Sequence, residues 1–133
     1  MKGLIKVTEK GRIYAIVLRR DFSKPGPNFF TPGEFSQQLG LLVHPSGRII
    51  KRHRHKLVKR EIFRTQEVLV LLDGKIRVDL YDDKRKKLRT VIMKPGDAVL
   101  LARGGHKVKV LDAAKIIEVK QGPYAGFDDK EFF

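Results

Sequence analysis

The chain is broken into short apolar runs, each closed by turn-forming residues, and nowhere does a 3.6-residue apolar period persist long enough to build a helix. Such a chain builds an all-β fold. In KIRVDLY, Ile76, Val78 and Leu80 alternate with Arg77, Asp79 and Tyr81, the pattern of a strand with one face buried and one wet. RIYAIVLRR, residues 12–20, reads as an early strand, and the turn-rich DFSKPGPN follows it. QQLGLLV reads as a strand that ends at His44 before Pro-Ser-Gly, and RIIKRHRH as the next. EVLVLLD is expected to join KIRVDLY in a hairpin through Asp73-Gly74, a dipeptide suited to a tight turn. LRTVIM and AVLLA flank the turn Lys94-Pro95-Gly96-Asp97, and KVKVL and KIIEVK are separated by Asp-Ala-Ala. About ten short strands at this spacing predict a jelly-roll β-barrel or a related sandwich.

With 133 residues and 41% hydrophobic content, the chain suits a single domain over 1–133 with one core. The first dozen residues interrupt their apolar positions with lysines and so lack a signal-peptide core. The longest apolar runs, LGLLV and VLVLL, are too short to cross a bilayer. A soluble, cytoplasmic protein without a membrane partner is expected. No cysteine is present, which excludes disulfides and thiolate chemistry and leaves nitrogen and oxygen as the only metal ligands.

Twenty-nine basic against 15 acidic residues give a net charge of +14. Such a surface attracts phosphorylated metabolites, carboxylates, nucleic acid or acidic partners, and it equally serves solubility. A small anionic ligand ranks first. Nucleic acid ranks low, because the basic segments 48–64 and 84–89 lack interleaved aromatic residues for base stacking, apart from Phe63.

Chemistry is most concentrated between Gly47 and Gly74. On a strand, His53 and His55 project from the same face roughly 6–7 Å apart, a workable spacing for two ligands of one metal. Glu67 and His106 are the obvious further ligands, with Gln66 and Glu61 as substitutes if the register shifts. The same His-Arg-His also lies within the basic run RIIKRHRHKLVKR, where it would simply face water. His44, before Pro45, belongs to a turn. Gln38, Tyr81, Glu118 and Lys120 interrupt apolar strands, and each either lines a barrel lumen or points outward.

Gly47, His53 and His55, followed by Glu67 and Gly74, resemble the first motif of the cupins, and Gly96-Asp97 onward to Gly104 and His106 resembles the second. The connection from His55 to Glu67 is eleven residues, longer than the three or four of the family pattern, and Ala102 stands where proline is usual. The resemblance covers about residues 35–120 and leaves an N-terminal strand and a C-terminal aromatic tail as flanks. It implies a small jelly-roll barrel in which His53, His55, Glu67 and His106 hold one divalent transition metal (iron, manganese, nickel, cobalt or zinc). It further implies a small, anionic substrate or ligand, with Gln38, Tyr81, Glu118 and Lys120 as candidates to contact it. Whether such a cupin is an enzyme or a non-catalytic binding module stays open. A homodimer is the implied assembly, with the N-terminal strand or the aromatic tail at the contact.

Overall fold

A computed structural model describes residues 2–126 and 129–133. Among these described residues, eight strands and no α-helix form: β1 (Leu4–Glu9), β2 (Arg12–Leu18), β3 (Gly26–Phe29), β4 (Gly40–Val43), β5 (Glu67–Tyr81), β6 (Lys87–Met93), β7 (Ala98–Leu101) and β8 (Gly105–Lys120). One antiparallel sheet runs β1-β2-β7-β5-β6, with β8 on the other edge of β5, and β3 pairs with β4 separately. The large sheet curls into a half-barrel. Among the described residues, no helix is long and apolar enough to cross a membrane.

The curl comes from β5, which serves two neighbours on one edge. Its first residues pair with β7, from Glu67 opposite Leu101 to Val70 opposite Ala98. Its second half pairs with β6, from Ile76 opposite Met93 to Tyr81 opposite Lys87. Between them the strand bends. Register shifts against β8 fall between Leu71 and Ile76, and Gly74 occupies the bend with φ +88°. A Cβ there would overlap the Ala113 carbonyl, so the two backbones approach as only glycine permits.

Asp97 fastens the corner from the other side. Its buried carboxylate accepts from the Arg19 guanidinium at 3.0 Å and from the backbone N–H groups of Arg20 and Lys94, both at 2.9 Å. The turn it stabilises hydrogen-bonds to β5, Gly96 N–H donating to the Leu71 carbonyl at 2.7 Å. The main core fills the concave side with Val7, Ala15 and Val17, then Leu69, Leu71, Ile76, Val78 and Leu80, closed by Val91, Met93, Val99 and Leu101. Ile16 and Leu100 face the opposite side, where Leu39, Phe30 and Phe35 cover them.

Several expected boundaries are corrected. Asp73-Gly74 is a bend inside one fifteen-residue strand, not a hairpin turn, because β8 runs alongside both halves and holds them in one ladder. KVKVL and KIIEVK are likewise one continuous strand across Asp-Ala-Ala. The strand expected over QQLGLLV shortens to Gly40–Val43, since Gln37 and Gln38 spend their amides on loop contacts. RIIKRHRH forms no strand, and residues 44–66 are an extended segment without regular structure. A strand over Leu4–Glu9 pairs with β2 at the sheet edge. In the aromatic tail, Phe133 packs edge-on against Tyr81 at 5.4 Å, while Phe127 and Asp128 lie outside the described residues.

The bend gives a stability test. Gly74 and Gly47 both have positive φ, but only Gly74 has a neighbour within reach of a new Cβ. Gly47→Ala should cost about 1 kcal/mol from backbone strain alone, and Gly74→Ala at least about 2 kcal/mol more. Urea denaturation measures both; equal costs would mean the approach to Ala113 is not what fixes the bend.

Candidate functional site

Glu67 opens β5 and is held from both sides, opposite Leu101 of β7 and Lys120 of β8. His106 lies opposite Leu80, near the other end of the same strand. A straight strand would separate those two positions by roughly 40 Å. The curl brings them into contact, His106 Nε2 to Glu67 Oε1 at 2.8 Å. The link that closes this loop is only Ala102-Arg103-Gly104, running from Leu101 beside Glu67 to Gly105 beside Tyr81. Gly104 turns with φ +73° directly against the Tyr81 carbonyl, where a side chain would clash.

Directly opposed residues share a face of the sheet. Leu80, Val78 and Ile76 face the core, so their partners His106, Val108 and Val110 lie on the concave side of β8. Leu71, Leu69 and Glu67 place Ile116, Glu118 and Lys120 on that same side. The concave mouth therefore carries four polar side chains in one cluster: Glu67, His106, Glu118 and Lys120. Glu67 is nearly buried, whereas the His106 side chain is 37% exposed and offers a ring edge to whatever enters.

The electrostatics follow from this packing. Hydrogen bonding to His106 holds the Glu67 carboxyl down at about 2 despite its burial, with Lys120 adding attraction. Glu118 is shifted the other way, upward, because it shares a hydrogen bond and a repulsive field with Glu67. A carboxylate holding an imidazole in a fixed orientation, with an ammonium alongside, is an arrangement that can bind an anion or move a proton at the imidazole.

The other residues singled out from sequence lie elsewhere. His53 and His55 sit on the exposed segment 44–66, their rings edge-to-face at 5.5 Å, and His53 Nδ1 lies 2.7 Å from the Lys51 carbonyl. Glu61 is exposed on the same segment. Gln66, next to Glu67, points to the opposite face. Its Oε1 accepts from Gln37 N–H at 3.0 Å and from Ser36 Oγ at 3.3 Å, which ties the 36–37 loop to the sheet. Gln38 caps its own loop by donating to the carbonyls of Pro32 and Phe35. Tyr81 ends β5 beneath Phe133. Among the described residues, no group of three or more His, Cys, Asp or Glu side chains is placed to hold a metal ion. Of the four candidate donors, Glu67 and His106 are brought together and His53 and His55 are not.

A second feature escaped sequence reading. On the Gln66 side, a cleft of about 470 Å³ is lined by Arg12, Phe35, Phe63, Arg64 and Arg103 among others. Asp83 organises its rim, accepting from Arg103 at 2.6 Å and from the Tyr14 hydroxyl at 3.2 Å. These residues come from separate parts of the chain and share no spacing signal. Comparisons with family models, with curated proteins and with solved structures found no match.

Two outcomes test the cluster. Because the folded pKa of Glu67 lies below its ordinary 4.5, its contribution to stability is complete above that pH and is lost as pH falls toward about 2. His106→Ala should therefore raise the Glu67 pKa toward 4.5 and flatten the acid-dependent loss of stability between those limits, read by carboxyl-carbon NMR and acid denaturation. An unchanged Glu67 titration would show that the imidazole does not hold it. Glu118→Gln should raise the melting temperature at pH 7, since it removes repulsion from Glu67; a lower value would contradict that repulsion.

Proposed function

We propose that this chain is a small-ligand module of the cupin type, with a jelly-roll-like half-barrel that receives a small anionic molecule at its concave mouth. The contact of His106 with Glu67 carries this reading. A nearly buried carboxylate orients an exposed imidazole, Lys120 supplies a positive charge beside it, and apolar Val108 and Val110 line the approach. A site with one fixed polar group and apolar walls orients a ligand rather than merely attracting it. The net charge of +14 raises the local concentration of anions around the mouth.

In this reading His106 touches the ligand, Glu67 positions His106, and Lys120 meets the ligand's negative charge. Glu118 tunes the field. A divalent transition metal is the more specific form of the same proposal. It would draw on Glu67 and His106 together with the imidazoles of His53 and His55, whose segment would have to lie over the mouth. Imidazole and carboxylate donors suit iron, manganese, nickel, cobalt or zinc.

Titration calorimetry with sugar phosphates, anionic sugars and keto acids tests the proposal on untagged protein, alongside elemental analysis. Binding that weakens at least tenfold in both His106→Ala and Lys120→Met is expected, about 1.4 kcal/mol or more for each. Metal-dependent turnover would make the module an enzyme, and binding without turnover would make it a receptor for its ligand. Absence of binding across the panel, with or without added metal, would remove the proposal.

A further inference from the structure

Two incomplete elements lie on this one chain. The first is β8, sixteen residues without proline, which pairs with β5 along one edge. Among the described residues nothing pairs with its other edge. A long free edge of this kind is a template for another strand. It is also apolar where it should be covered: Val110 is 54% exposed, and Val108 next to it on the concave side is partly bare.

The second is the segment 44–66. After the turn closed by Arg48 N–H on the Pro45 carbonyl, residues 49–65 make no backbone–backbone hydrogen bond among the described residues. Ile49 is 80% exposed and Leu57 102%, so the body of their own chain does not cover them. Yet the segment has strand periodicity. From 49 to 57 the odd positions read Ile, Lys, His, His, Leu, and the even positions Ile, Arg, Arg, Lys. Laid out as a strand, one face carries the apolar ends and both imidazoles, and the other carries Arg52, Arg54 and Lys56.

We infer that the segment is an exchanged arm: each copy lays residues 49–57 along the free edge of the partner's β8, and receives the partner's arm on its own. The odd-numbered face then covers Val108 and Val110, and the basic face lies in water beside Lys107 and Lys109. Each copy commits nine arm residues and about as many of β8, close to the lower end of the about 20–30 residues a side found in stable interfaces. The exchange is two-fold symmetric, since every copy offers the same arm and the same edge. It also turns the partner's His53 and His55 toward the side of the sheet that bears His106 and Glu67. The inference rests on the unpaired edge and arm, not on the ligand reading, because the Glu67–His106 contact lies within one chain.

The charges make the exchange separable from assembly on a polyanion. Basic side chains of arm and β8 share one face, so added salt screens their repulsion and should tighten the dimer severalfold between 0.1 and 0.5 M, roughly one Debye length shortening to half. Bridging by nucleic acid would weaken steeply over the same range.

The experiment is light scattering on nuclease-treated, full-length protein across that salt range. It is joined to lysine cross-linking of a one-to-one mixture of ¹⁴N and ¹⁵N protein. A dimer is expected, with mixed-isotope links from Lys51, Lys56 or Lys59 to Lys107 or Lys109. The pair Ile49→Lys and Leu57→Lys should weaken the dimer at least tenfold and leave the circular dichroism of the half-barrel unchanged. A monomer at high micromolar concentration would overturn the inference. So would arm-to-β8 links confined to single-isotope species, which would mean the arm folds onto its own chain, or a dimer that dissolves with nuclease. A dimer that survives the double substitution would place the contact elsewhere.

Discussion

Everything in the concave mouth depends on one bent strand. β5 can pair with β7 at its start and β6 at its end only by turning sharply between Leu71 and Ile76, and the turn depends on Gly74 approaching Ala113 closely. Given that turn, three residues suffice to carry the chain from Leu101 to Gly105. Without it, Glu67 and His106 would sit at opposite ends of a ladder. The polar cluster is thus a product of curvature, with strand twist and bulging converted into proximity.

The same curvature leaves an asymmetry in burial. β5 is covered on its concave side by β1, β2, β6 and β7, and its apolar residues there are almost entirely dry. β8 shares that face but lies at the rim, where only Ala114 and Ile116 reach the core. A rim strand with valines on its inner side has burial still to gain, about 25 cal/mol for each square ångström of apolar surface removed from water. Ligand, arm or partner would each draw on that unspent apolar area.

The all-β character, the strands at 12–18, 87–93 and 98–101, and the inward side of KIRVDLY were legible from alternation and turn residues. The long strands were not. Asp73-Gly74 carries the local chemistry of a hairpin, and only the continuous partner β8, more than thirty positions away, makes it a bend. Local signals describe what a dipeptide permits; pairing decides which option is used. The site divides the same way. Glu67 and His106 stand out in the sequence as candidate metal ligands, Glu118 and Lys120 as polar interruptions of apolar strands, and the four gather on one face. His53 and His55 do not join them within a single chain, since a basic run with no strand partner stays in water. Arg103 and Asp83 had no marker at all, because an ion pair between two loops leaves no periodic trace.

Gln66 and Glu67 show how tightly site and scaffold are joined. Adjacent on one strand, they necessarily face opposite sides. Gln66 ties the 36–37 loop over the outer core, and Glu67 holds His106 in the mouth. A slip of one residue in β5 would exchange the two, placing the amide in the cluster and a carboxylate beside the Ala102 carbonyl that the Gln66 amide now donates to. That slip is opposed at Glu67 itself, where Leu101 and Lys120 fix the register from both edges, and again by the apolar set Leu69, Leu71, Ile76, Val78 and Leu80. The hydrophobic core therefore specifies which of two neighbouring polar side chains enters the concave mouth, and the polar character of the mouth is set by packing that never touches it.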